Sequence, residues 1–512
     1  MKKIYTYLFL TTLSSVGFAQ YEAHALDFNN VDAAISNSGM FFNDPIGAAR
    51  YEVPKGSGNH MIYTMGFWFG GADINGNIKL AAQTYTENGD LFPGALTTEG
   101  AEAPIEAESA GVYPILKGEI DYHILHFSDV GYTVPSSIAN WPAHGNIEVG
   151  IDYYLAPFVD VNGDGVYNPI AGDYPKIKGD KAIYLIMNDK GDLHETGSDP
   201  IGIEVHYLFY QYVTDDYLDN TTFVNMKIIN RSTQSLYDFR VGCYLDGDVG
   251  YSLDDYAGFN EENNVMFVYN GDSEDEGTGA QPGYGTDPPA LGVVLLNKEV
   301  NSFATYQGTG AHGEPTNTVH YYNYMNAIWP DGTHFLDNAS EETNFLYSGN
   351  PNNITEWSEH SVANAPGERR LLMSASYATY TPSEVICLDY AIVYSRTGNN
   401  IENVQGVIDN AALVKSFYDS EEAYCEAGFL GLTKTETKNT EFSLYPNPST
   451  GNFTVDVVGD YNLEIYSFDG RLVHQEFNKN GSEAIKTNLT NGTYLVVIKQ
   501  GNKKSQSKLI IN

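Results

Sequence analysis

Residues 204–213 read EVHYLFYQYV, and the run TFVNMKIIN follows at 222–230. In the first run Val205, Tyr207, Phe209 and Gln211 alternate with His206, Leu208 and Tyr210. A period of two sends the two sets to opposite faces of an extended chain. Both runs are rich in β-branched and aromatic residues, which suit packed sheets. Working outward, the same texture returns in MIYTMGFWFGG (61–71), NIKLAAQTYT (77–86), KAIYLIMND (181–189) and LGVVLLN (291–297). Gly, Asn, Asp and Pro separate these runs, and Asn75-Gly76 predicts a two-residue hairpin turn between the first two. The chain is therefore expected to be all-β, with a large β-sandwich-like body. No repeat of 20–50 residues is visible, which argues against a solenoid or propeller.

One helix interrupts this pattern late in the body. Ile401, Val404, Ile408, Ala411 and Phe417 fall at helical spacing, with Asn400 in place as N-cap. Beyond it, residues 431–441 form a polar stretch suited to a linker. Residues 272–287 and 308–318 are glycine-rich and predict surface loops.

From residue 442 the chain changes character: FSLYPNPSTGNFTVDV, then LEIYSFDGRLV, and finally NGTYLVVIKQGNKKSQSKLIIN. Phe453, Val455 and Val457 alternate, as do Leu463 and Ile465. Turn signals stand at Asp469-Gly470 and Asn491-Gly492, so residues 442–512 predict a small antiparallel β-sandwich. Pro446 and Pro448 keep the segment around Asn447 out of any central ladder. The motifs YPNPSTG, GTYLVVI and KLII, in this order, resemble the type A C-terminal sorting domains of the Bacteroidetes type IX secretion system. That resemblance implies recognition of residues 442–512 by an outer-membrane translocon, removal of the domain, and a surface or extracellular destination. The body also resembles large secreted Bacteroidetes proteins of unassigned function, through GFWFGGADINGNIKLAAQTY (66–85), DVNGDGVYNPIAGDYP (160–175), KGDKAIYLIMND (178–189) and NMKIINRS (225–232). This second resemblance carries no catalytic residues with it.

The other end predicts export as well. Lys2 and Lys3 precede an apolar run from Ile4 to Val16, and Gly17 and Ala19 stand at the −3 and −1 positions of a signal-peptide cleavage site. Residues 1–19 thus read as a signal peptide and residues 20–430 as an acidic, β-rich body. No later apolar run is long enough for a transmembrane segment.

The net charge of −39 belongs to the body, since residues 442–512 and the signal are slightly basic. Such a surface repels phosphate backbones and excludes nucleic acid as a partner. With 39 Tyr and 24 Phe the chain has ample material for a core. Three cysteines, Cys243, Cys387 and Cys425, make no disulfide framework or zinc pattern, though one bridge remains open.

The sharpest chemical motif runs from Asp160 to Asp173. A hard Ca²⁺ ion takes six to eight oxygens. Asp160, Asn162 and Asp164 supply side-chain oxygens from positions 1, 3 and 5, Gly165 allows the turn, Val166 offers its carbonyl and Asn168 stands at position 9. The run resembles the loops of EF-hands and dockerins. Position 12 is Ala171, where those loops close with an acid, so Asp173 is the expected substitute. A structural Ca²⁺ site is the expectation, against the plainer reading of an acidic turn. A second acidic group, Asp246, Asp248, Asp254 and Asp255, suits a cation, internal hydrogen bonds or the acid–base pair of a glycoside hydrolase. No tryptophan cluster accompanies it. His123 and His126 are expected on opposite faces of a strand. Together with His194, Glu195, Glu204 and His206 they lack the spacing of a helical zinc motif.

The resulting expectation is a secreted, calcium-stabilised cell-surface or extracellular protein with an adhesive, structural or ligand-binding role, its ligand an extracellular glycan or protein. The alternative is a secreted hydrolase using the Asp246–Asp255 carboxylates. A third reading is assembly into an extracellular multiprotein layer.

Overall fold

A computed structural model describes residues 21–429 and 442–511, apart from 45–46, 85–88, 104–108, 279–281, 311, 426, 468–470 and 501–502. The signal peptide at 1–19, the linker at 431–441 and the Asp469-Gly470 turn lie outside the described residues. The chain divides into two compact units, Met1–Phe429 and Leu430–Asn512. Strand far exceeds helix, at 41% against 12%.

Two large antiparallel sheets dominate the body, beside a four-stranded one built from Ala23–Leu26, Asp32–Ser36, Tyr51–Glu52 and His60–Ile62 and two short strand pairs. The larger runs in the order Asp255–Asn260, Val265–Asn270, Ala290–Leu295, Glu384–Ser395, Thr222–Asn230, Ile203–Gln211, Lys181–Asn188 and Phe92–Pro93. The smaller runs Ser302–Tyr306, Arg369–Tyr380, Leu236–Gly247, Thr64–Ala72 and Ile78–Ala82. Ile203–Gln211 is a central strand, and its alternation feeds two cores. Val205, Tyr207 and Phe209 join Phe67, Val241 and Leu372 between the sheets. Leu208 and Tyr210 face the other side, where Val404, Val407, Ile408, Ala411 and Val414 of the helix Asn400–Ser420 cover the large sheet. The body is thus a sandwich with a third, partly helical layer.

Several local expectations are corrected. The helix cap is Asn399, which accepts the N–H groups of Ile401 and Glu402. Asn400 is the first helical residue, and its buried side chain donates to the carbonyl of Asn270. At Asn75-Gly76 the turn has a three-residue loop: Gly76 donates to the Asp73 carbonyl and Asp73 to that of Asn77. Gly76 takes φ +82°, the left-handed position of a hairpin closed by a bulge. His123 and His126 lie on the helix Lys117–His126, not on a strand. The end of the 308–318 loop enters a helix, Thr318–Met325, capped by Asn317.

Cys387 and Cys425 form a disulfide, while Cys243 is free and buried. The bridge ties the segment after the long helix to the strand Glu384–Ser395. Next to it Gly428–Phe429 adds a short pairing to the same strand.

In the C-terminal unit a three-stranded and a four-stranded sheet enclose one core, including Phe453, Val455, Leu463, Ile465, Val496 and Leu509. The Asn447 side chain donates to the Lys508 carbonyl at 2.6 Å and accepts from the Ile510 N–H at 2.9 Å. One asparagine therefore pins YPNP to KLII, joining the first and last motifs of the domain.

Candidate functional site

Short strands Phe158–Val159 and Tyr174–Pro175 pair and bring the ends of the 160–173 loop together. Gly163 and Gly165 take φ +74° and +77°, so the chain turns tightly where only glycine is comfortable. Asp160 accepts the N–H groups of Gly163 and Gly165, each at 2.7 Å. Those bonds, Gly165 foremost, hold its carboxyl below the usual range and keep it ionised. Asp164 accepts from Val166 N–H at 2.8 Å and from the Asn162 amide at 2.8 Å. Asn162 in turn accepts from Asp164 N–H. Asp160, Asn162 and Asp164 thus stand on one turn, with Asn162, Asp164 and Val166 exposed.

The remaining two residues do other work in this geometry. Asp173 is fully buried and accepts from Val161 and Asn168 N–H, stitching the base of the loop. Asn168 caps the short helix Pro169–Ala171 through the Ile170 N–H. Among the described residues no three His, Cys, Asp or Glu converge as a metal group. Any cation here would rest on Asp160 and Asp164 together with the neutral oxygens of Asn162 and Val166.

The loop leans on its surroundings through Tyr167, whose N–H donates to His144 Nε2 at 2.7 Å. His144 also lines a cleft of about 620 Å³ with Tyr113, Asn140, Trp141 and Asn146. The loop and the cleft therefore share a wall.

The second acidic group is an interior feature. Asp246 lies directly across from Arg370 on the neighbouring strand and pairs with it at 3.0 Å. Arg370 also pairs with Glu314 and Glu368. Asp248 is pushed up to about 7 by burial, and Asp255 is raised strongly by burial and by Asp248. Oδ1 of each is buried without a hydrogen-bond partner. Asp246 is raised as well, by burial and then by Asp248, with the Arg370 guanidinium opposing both. Asp254, half-buried, is raised to about 6 by burial.

The histidines are committed elsewhere. Both His194 nitrogens face backbone carbonyls, of Leu80 and Asp189. His123 bonds the Tyr132 hydroxyl, and His126 pairs with Asp129. His206 sits between the Tyr184 hydroxyl at 2.5 Å and Glu204 at 2.8 Å. Burial would raise Glu204, but His206 and Arg231 bring it down to about 2. Sequence reasoning passed over Tyr184, Lys227 and Arg231. The available signal was a lysine inside the apolar run TFVNMKIIN.

Among the described residues no helix is long and apolar enough to cross a membrane. No curated protein matches the chain. A solved polysaccharide lyase aligns with 69% of this chain at 8% identity and a TM-score of 0.20, and the chain spans only 38% of that lyase. So slight a likeness carries neither fold nor activity. Residues 443–512 match the family model of the secretion system C-terminal sorting domain. The chain ends in a type IX sorting domain and is a secreted protein, destined for the cell surface or the extracellular space.

Proposed function

We propose that the body is a calcium-stabilised binding module with an adhesive or ligand-binding role at the cell surface or outside the cell. The observation that supports this is the 160–173 loop: Asp160 and Asp164 are held on one glycine-shaped turn, whose Tyr167 is fastened to His144 in the wall of the cleft. An ion on Asp160, Asn162, Asp164 and the Val166 carbonyl would neutralise two adjacent charges and stiffen that wall. Asn168 and Asp173 support the loop beneath it. Affinities near 10⁻⁴–10⁻³ M, about those of extracellular modules, suffice for occupancy outside the cell.

The hydrolase reading is less favoured, because Asp246, Asp248 and Asp255 are almost wholly buried and the first is paired with Arg370. A glycosidase needs its two carboxyls open to a sugar between them.

Calorimetry of the exported protein tests the proposal. Chelation is expected to lower the melting temperature, since an ion bound only to the folded state adds RT ln(1 + [L]/Kd), roughly 1–3 kcal/mol at about 10–100 times Kd. Joint Asp160→Ala and Asp164→Ala substitution should remove the chelator response. Identical melting curves for the unmutated protein with calcium and with chelator would leave the loop an acidic turn.

A further inference from the structure

On the helix-bearing side of the large sheet lies a second pocket, of about 210 Å³. Tyr184, His206, Leu208, Asn225 and Lys227 line it from three adjacent strands, and Tyr424 and Cys425 line it from the disulfide-held segment. Strand register puts these groups together. His206 stands across from Lys227, Lys227 across from Cys387, and Tyr184 across from Leu208.

Lys227 is the unusual member. Its ammonium makes no ion pair or hydrogen bond among the described residues, although burial acts on it strongly enough to lower its pKa. Glu204 attracts it only from a distance, because that carboxylate is engaged by Arg231 at 2.8 Å and by His206. Lys227 is only partly buried, and its unpaired ammonium is left to solvent and to whatever enters the pocket. A pocket beside it gives an anion somewhere to sit.

The neighbouring relay narrows the ligand further. Glu204 is ionised, so His206 donates to it through Nε2. Burial disfavours the charged imidazole, leaving Nδ1 to accept the Tyr184 proton. With its one O–H donated to His206, the Tyr184 hydroxyl offers a ligand only lone pairs, which suit a hydroxyl donor. A single lysine matches one negative charge, while a dianion would leave a charge unbalanced. At about 30 Å³ per water the volume equals roughly seven waters, enough for a small organic molecule.

We propose that this pocket binds a small hydroxycarboxylate, its carboxylate on Lys227 and its hydroxyl donating to Tyr184, beneath a roof held by the Cys387–Cys425 bridge. The proposal does not depend on the calcium loop.

Isothermal titration of the exported protein with lactate, lactamide and inorganic phosphate tests it. Lactate is expected to bind, and neutral, nearly isosteric lactamide to bind at least about tenfold more weakly, as befits a charge-assisted contact. Phosphate should be weaker than lactate. Lys227→Met should lose at least about tenfold in lactate affinity, and Lys227→Arg should keep most of it. Four outcomes would overturn the proposal: no lactate binding up to about 50 mM, a concentration that reveals affinities weaker than 1 mM; equal binding of lactate and lactamide; phosphate binding more tightly than lactate; or undiminished affinity in a folded Lys227→Met protein. If Lys227→Met does not fold, the comparison of the three probes on the unaltered protein decides.

Discussion

Replacing Cys387 and Cys425 together by serine removes a crosslink between positions 38 apart in sequence. The chain-entropy relation for a loop of that size gives about 4 kcal/mol at 25 °C. A body of roughly 400 residues has an unfolding entropy near 0.8–0.9 kcal/mol/K at about 2.1 cal/mol/K per residue, so the melting temperature should fall by about 5 °C. The local effect should be larger than the global one. Without the bridge, the segment from Glu421 to Phe429 keeps the Lys178–Glu421 ion pair, the Tyr424 hydroxyl on the Lys176 carbonyl, and a two-residue strand pairing. The ion pair is partly exposed and contributes little. Calorimetry gives the global shift, and amide exchange of residues 421–429 gives the local one. Reductant should reproduce both effects in the unmutated protein and add nothing to the double variant, because Cys243 is buried without a partner. An unchanged melting temperature with unchanged exchange at 421–429 would show that this segment is held by its other contacts.

Four further outcomes are expected. Stability should fall as pH rises from about 4 towards 7, because Asp248 is raised to about 7 in the fold and binds its proton more tightly there than in the unfolded chain. Asp246 and Asp255, raised likewise by burial, share that limb, Arg370 opposes the rise of Asp248 and Glu368 adds to it, and Asp248→Asn should flatten the limb in pH-dependent denaturation. The sign reverses for Glu204: depressed to about 2, it stabilises above its unfolded value and loses that contribution as pH falls through about 4 to 2, so Glu204→Gln should weaken the acid-side decline. Deleting residues 442–512 should strand the body in the periplasm, as cell fractionation would show, while Asn447→Ala, which removes two hydrogen bonds to the last strand, should destabilise the sorting domain by about 1–3 kcal/mol in denaturant titration.

The strands were legible where the information is local. Val205, Tyr207 and Phe209 against Leu208 and Tyr210 is a pattern within one run, and each set found its own core. The late helix was readable for the same reason, from Val404, Ile408 and Ala411. The helix Lys117–His126 was not, since only Ile120 and His123 are buried while Tyr122 and Leu125 face out, at 56% and 74% exposure. No apolar stripe remains for periodicity to find. The loop residues Asp160, Asn162 and Asp164 form a sequence-local turn. Asp173 was harder, because its role as a buried clamp depends on which backbone N–H groups the fold turns towards it. The Lys227 pocket was beyond reach, because Tyr184, His206 and Lys227 meet only when three successive strands pair in this register, and Cys387 joins them from a strand much later in the chain.

The acidity of the body has an interior part that composition conceals. Arg231 is held between Glu204 and Asp152, Arg369 clasps Glu359, and Arg370 gathers Asp246, Glu314 and Glu368. Cations in a chain that has few of them are thus drawn inward to hold carboxylates that would otherwise stand desolvated and unpaired, at a cost of several kcal/mol each. The surface is left with a surplus of negative charge and few lysines or arginines to answer it. Surface carboxylates on adjacent turn positions, as at Asp160 and Asp164, then find compensation in backbone N–H groups and, at Asp164, in the Asn162 amide. Backbone donors already hold Asp160 in its charged form while leaving further lone pairs open. Inward use of arginine and the outward surplus of negative charge are therefore two sides of one charge distribution.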